Sequence, residues 1–278
     1  MTPLVGAITA FGLLVVVPLA FSLSPEGALR RIRLLWLLTA VPAAVALLLP
    51  RGAVAALAVT PFAATTLMLA ASGAVSAWRS RREPWSPAAA TAAATPVVAA
   101  ATLMAERAGV ELAGFELGML ALTPPHMLYA GVVASLLAAA LVAAEPTPSA
   151  RAAGWAVPVG VVTVLVGYLV GDWLELVGTL VLTAAVWTLT WTAWAVAAGA
   201  ARPARVLLAV GAVVGLGSMT LACVWAVGEA TGLAHPDIPV MVATHGVGNA
   251  VGLALCGVLG WRVYLRTAAP VPEESSWR

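Results

Sequence analysis

The chain has 278 residues, 62% of them hydrophobic and 9% charged, with a formal net charge of +2 and a mean hydropathy of +1.00. An ordinary soluble domain carries roughly a quarter charged residues, so this composition excludes a water-soluble enzyme and points to a single membrane domain over 1–268 with a short tail at 269–278. All fourteen basic residues are arginines; without lysine there is no GxxxxGK[ST] phosphate loop, and no basic face marks nucleic acid as a partner.

A span needs about 20 mostly apolar residues to cross a hydrocarbon core of about 30 Å. Nine segments meet that need, predicting an all-α polytopic bundle whose partner is the lipid bilayer: 3–23, 34–49, 53–77, 87–105, 115–143, 155–171, 174–198, 206–228 and 238–262. The second and sixth are short, and the fourth is an Ala/Thr run containing Pro96; without it the count is eight. No charge precedes Glu26, so the first apolar stretch reads as a retained span rather than a secretory leader.

With nine spans, Arg30, Arg31, Arg33, Arg79, Arg81, Arg82, Arg151, Arg202, Arg205, Arg262 and Arg266 fall on one side, and only Arg51 and Arg107 on the other. The positive-inside rule then sets the N-terminus outside and the tail, with Glu273, Glu274 and Arg278, in the cytoplasm. Trp78, Trp85, Trp155, Trp173 and Trp261 stand near span ends, as interfacial anchors do. Trp187, Trp191 and Trp194 share one face of the seventh span, which reads as lipid-facing or interhelical packing. Cys223 and Cys256 lie inside apolar segments and read as small hydrophobes rather than a disulfide.

The remaining ionisable groups gather toward the expected outer half. Glu106, Glu111, Glu229 and Asp237 read as helix-end acids. In the fifth span, Pro124 and Pro125 remove two backbone donors, which predicts a break or kink just before His126 and Tyr129. Asp172-Trp173-Leu174-Glu175 forms a tight outer turn in which Asp172 caps the seventh helix and Glu175 completes a box-like pair, or Glu175 faces a site.

His245 lies about 10 Å into the last span at 1.5 Å per residue, with Asn249, Gly252 and Cys256 following on one face. Such an imidazole and carboxamide either bond to a neighbouring helix or line a site. Glu116 and Glu175 are the carboxylates best placed to partner the two histidines.

The segments His126-Met127-Leu128-Tyr129-Ala130-Gly131 and His245-Gly246-Val247-Gly248-Asn249-Ala250-Val251-Gly252 resemble the YndJ-like family of bacterial integral membrane proteins. The family's first segment tends to read H-F-H-Y-A-G, so Leu128 here replaces a second histidine and with it a candidate metal ligand. The resemblance implies a multi-pass protein of a bacterial plasma membrane and leaves the activity open, although the family is sometimes labelled a transporter.

Three functions remain. The first is a transporter or small-ligand-binding protein with an outward-facing site made by His126, Tyr129, His245 and Asn249, with Glu116 and Glu175 nearby and a small molecule as substrate. The second is a membrane-embedded enzyme whose metal or haem is held by His126 and His245, although no H-E-x-x-H or C-x-x-C-H spacing is present. The third is a scaffold in which these polar groups satisfy one another. No G-x-S-x-G elbow is present for acyl transfer.

Overall fold

The computed structural model describes residues 3–25 and 27–268, so the 269–278 tail lies outside the described residues. Those residues form an antiparallel helical bundle with no strand longer than an isolated bridge. Eight helices are long and apolar enough to cross a membrane: α1 (Pro3–Leu23), α3 (Ala53–Arg79), α4 (Ser86–Ala108), α5 (Leu117–Ala144), α6 (Pro148–Val170), α7 (Asp172–Gly199), α8 (Arg202–Thr231) and α9 (Ile238–Thr267). Between α1 and α3 runs α2 (Ala28–Ala46), 19 residues long. Three arginines in its opening turns lower its hydropathy, yet it covers about 28 Å, close to the thickness of the hydrocarbon core.

The connections explain the pairing. Proline opens α4, α6, α8 and α9, where the missing N–H costs no intrahelical bond. The Thr147 hydroxyl accepts from Ala150 N at 3.2 Å and the Asp237 carboxylate from Val240 N at 2.9 Å, capping α6 and α9. The predicted Asp172 cap does not form: Gly171 is the cap residue, and Asp172 is already inside α7. Positive-φ backbone at Gly171 (φ 141°), which glycine adopts freely, lets α7 start one residue earlier than the sequence pattern suggested.

Two contacts tie the arginine-rich end together: Arg262 Nη1 to Leu19 O at 3.4 Å and Tyr264 Oη to Glu145 Oε1 at 3.1 Å. At the opposite end Gly52 N donates to Arg107 O at 2.7 Å. There Glu106, with no exposed surface, accepts from Arg51 at 2.9 Å and from Arg107 at 2.5 Å, while Arg107 reaches the terminal carbonyls of α2 at Ala46 and Leu49. Glu106 thus anchors three helix ends, where a loop acid was expected. A buried carboxylate is tolerated there because guanidiniums lie beside it, the buried Arg107 above all.

The central helix is α5, buried at Met127–Tyr129 and throughout Gly131–Val142. Its double proline does not break it. Pro124 and Pro125 have no N–H for Leu120 and Ala121, and the chain continues directly into a π-helical segment at Met127–Ala134. Similar wide turns occur in α1 at Gly12–Val16 and in α9 at Val242–Gly246 and Gly248–Leu255, and all these segments lie near one another in the bundle. In α1 the carbonyls beside the wide turn find side-chain donors: Tyr129 Oη gives to Ile8 O at 2.9 Å, and Trp36 Nε1 to Leu13 O at 2.9 Å. Gly12 makes room, since a Cβ there would stand 3.3 Å from the Tyr129 ring.

Helices α6 and α7 touch through backbone. A Cβ on Gly160 would lie 2.7 Å from Leu182 Cα, and one on Gly167 would lie 2.5 Å from Glu175 Cα, so small residues set this closeness and with it the height of Glu175. The outward faces carry exposed apolar side chains such as Leu38, Leu57, Val162 and Val213, the belt a lipid-facing surface requires. Trp187, Trp191 and Trp194 belong to that surface. Trp261 does not behave as an interfacial anchor; it is buried and stacked on Tyr264 at 4.7 Å.

Candidate functional site

A cavity of about 520 Å³ occupies the half of the bundle opposite the arginine-rich end. Helices α1 and α4–α9 wall it, and the 109–116 connection crosses its mouth through Leu112, Ala113 and Phe115. That connection is a tight turn closed by Phe115 N to Leu112 O at 3.0 Å, with Ala113 at φ 56° and Gly114 at φ 82°. Left-handed backbone at an alanine is uncommon and marks strain.

The lining is chiefly apolar. Its chemistry comes from His126, Tyr129, Tyr168, Glu175, His245 and Asn249, so five of the six residues singled out from sequence share one wall. Glu116 stands apart. It is exposed at the start of α5, where it occupies the cap position, and does not line the cavity. Neither of these two histidines takes a carboxylate partner among the described residues: His245 faces α8, where it meets Ser218, and His126 faces Tyr168 of α6.

His245 is locked by that helix. Its Nδ1 lies 2.8 Å from Ser218 O, a group that only accepts, so Nδ1 carries the proton. Nε2 then accepts from Asn249 Nδ2 at 3.0 Å, and Asn249 Oδ1 accepts from Ser218 Oγ at 2.5 Å. Each donor meets an acceptor, and this assigns the tautomer and the amide orientation. A second proton on His245 would require Asn249 to turn its amide and present Oδ1, with the Ser218 hydroxyl then accepting from Nδ2.

His126 differs. Its Nε2 is buried without a hydrogen-bond partner, and its ring meets Tyr168 edge-on at 6.5 Å. Among the described residues two other buried polar atoms lack partners, Ser135 Oγ and Trp261 Nε1; neither residue lines this cavity. A buried polar atom left without a partner costs about 1–3 kcal/mol, so His126, whose residue lines the cavity, holds a strained position in the wall rather than a satisfied one. Tyr129 contributes its ring, its hydroxyl being engaged by Ile8. Leu128 is fully buried against Gly12 of α1, away from the cavity.

Sequence reasoning missed Tyr168, Trp225 and Ser218. Ser218 alone left a signal, as a hydroxyl in the middle of an apolar span.

A family model described as YndJ-like protein matches residues 7–253. The chain belongs to the YndJ-like family. No curated protein and no solved structure matches it. In this YndJ-like chain the match takes in both histidine segments and every cavity-lining residue except Val5.

Among the described residues no group of three His, Cys, Asp or Glu side chains converges as metal ligands do. With both nitrogens of His245 hydrogen-bonded, a metal or haem on the two histidines would first have to dismantle the Ser218–Asn249 loop.

Proposed function

We propose that this YndJ-like protein is a small-molecule transporter of a bacterial plasma membrane, with its site open toward the outer face and its N-terminus on that face. The observation that carries the reading is a large cavity confined to the arginine-poor half and lined by His126, His245, Asn249 and Glu175 among otherwise chiefly apolar side chains. Ligand sites are concave, mostly apolar and equipped with a few polar groups, and ionisable residues at membrane depth mark such sites.

Movement through the bundle has a course. Beyond Leu253, which lines the large cavity, lies a second void of about 20 Å³ between α5, α7, α8 and α9, bounded by Gly211, Gly257 and Trp261. That volume is enough for a single water. Leu253 lines both spaces, and its side chain packs on Gly215, where a Cβ would sit 2.6 Å from Cδ1. Leu253 is thus the thin part of the barrier, and a small shift of α9 along α8 would open it.

The test is a thermal-shift screen of the detergent-purified full-length protein against apolar molecules bearing one polar group. Binding at a hundred times Kd stabilises by about 2.7 kcal/mol. The reading expects stabilising compounds whose effect disappears in Ala130→Trp, which fills the cavity; shifts that persist in that variant, or none in the native protein, would overturn it.

A further inference from the structure

We infer that the cavity takes a lipophilic monocation, an apolar molecule carrying one positive charge, and seats that charge at Glu175. The inference rests on the proposed binding function and names its ligand class.

Glu175 is 7% exposed, lines the cavity from α7, and among the described residues has no side-chain hydrogen-bond or ion-pair partner. Its charged neighbours are also acidic: Asp172 and Glu229 stand close enough for their charges to act on it. The basic group in this region, His235, is engaged by Glu229 at 3.0 Å. Among the described residues no arginine lines the cavity, and Glu175 is its one carboxyl, on a wall otherwise made of apolar groups, hydroxyls, neutral amide and imidazoles.

Aromatic faces complete the seat. Phe115, Tyr168 and Trp225 line the same cavity, and rings attract a desolvated cation through their negative faces. An anion would meet the carboxylate and no compensating arginine. Independently of the acidic group, His126 and Asn249 bring a neutral imidazole and a carboxamide to the lining of the same space.

The apolar walls call for an apolar body, and the volume suits a drug-sized one. The acids at this end of the bundle, Asp172 and Glu229 beside Glu175 and Glu116 at the start of α5, also favour a cation over an anion before it arrives.

The probes are tetraphenylphosphonium, its size-matched anion tetraphenylborate, and neutral triphenylphosphine oxide, measured by equilibrium binding to full-length protein in detergent against protein-free micelles. The expected result is tetraphenylphosphonium binding at least about tenfold tighter than tetraphenylborate, falling about tenfold or more in Glu175→Gln and recovering in Glu175→Asp. Binding of triphenylphosphine oxide should be unchanged in Glu175→Gln, which shows that the variant still folds. Equal binding of all three probes, or an unaltered cation affinity in Glu175→Gln, overturns the cation assignment and leaves the binding function standing. Absence of binding by every probe overturns both.

Discussion

His245 and Ser218 lie on neighbouring helices and are joined twice, directly through the Ser218 carbonyl at 2.8 Å and indirectly through Asn249. The two links have different chemistry. The direct one uses backbone and survives any change at position 218; the indirect one needs both the hydroxyl and the carboxamide. Ser218→Ala should therefore cost little, about 0.6 kcal/mol, the average for an interhelical hydrogen bond in a membrane protein. Asn249→Leu also leaves His245 Nε2 unpaired and should cost more, about 1–3 kcal/mol. Unfolding titrations of the two variants check the order; equal costs would mean the loop is not connected as described.

The two histidines should respond in opposite ways to removal of their polarity. His245→Leu deletes two bonds and should lower stability by about 1–3 kcal/mol. His126→Leu deletes none at Nε2 and should leave stability unchanged or slightly raised, while ligand affinity falls about tenfold, the equivalent of one good hydrogen bond. Thermal unfolding and probe binding on the same samples separate these effects. Were the polar set merely a scaffold, His126→Leu would alter stability and leave binding untouched.

At the arginine-poor end the cost should follow burial. Glu106→Gln strands Arg107, which is 4% exposed, and breaking a buried ion pair by removing one partner typically costs about 3–5 kcal/mol. Arg51 is the more exposed partner, with 39% of its side chain accessible, so Arg51→Ala should cost about 1 kcal/mol or less. Comparing the yield of monodisperse protein and the unfolding midpoints tests this ranking.

The fold was legible because membrane spans announce themselves by length and apolarity. Alternation of the arginines favoured nine crossings; eight helices are long and apolar enough to span, the Ala/Thr-rich fourth segment among them, and the helix that falls short is α2, whose leading arginines lower its hydropathy. The joining of His126 with His245 was legible in part, since both are ionisable residues within apolar spans. Their partners were not. Glu175 and Glu116 looked equivalent in sequence, but Gly167 and Gly178 draw α7 against α6 and turn Glu175 inward, while Glu116 ends on an exposed cap. The double proline predicted a break, and the actual response, a π-helical segment, depends on how α1 and α5 pack and cannot be inferred from the prolines alone. Glu106 was misjudged because its two cations come from helix ends, one of them 55 residues away in sequence.

The most direct measurement for the central claim is sided labelling of the cavity. In a Cys223→Ser, Cys256→Ser background, Ala130→Cys places a thiol on the cavity wall beside Tyr129. A membrane-impermeant methanethiosulfonate is applied to sealed vesicles from either side. The account predicts rapid modification from the outer face, little from the arginine-rich face, and protection by tetraphenylphosphonium. Modification from the arginine-rich face alone, or a thiol unreactive from both faces in folded protein, would contradict it.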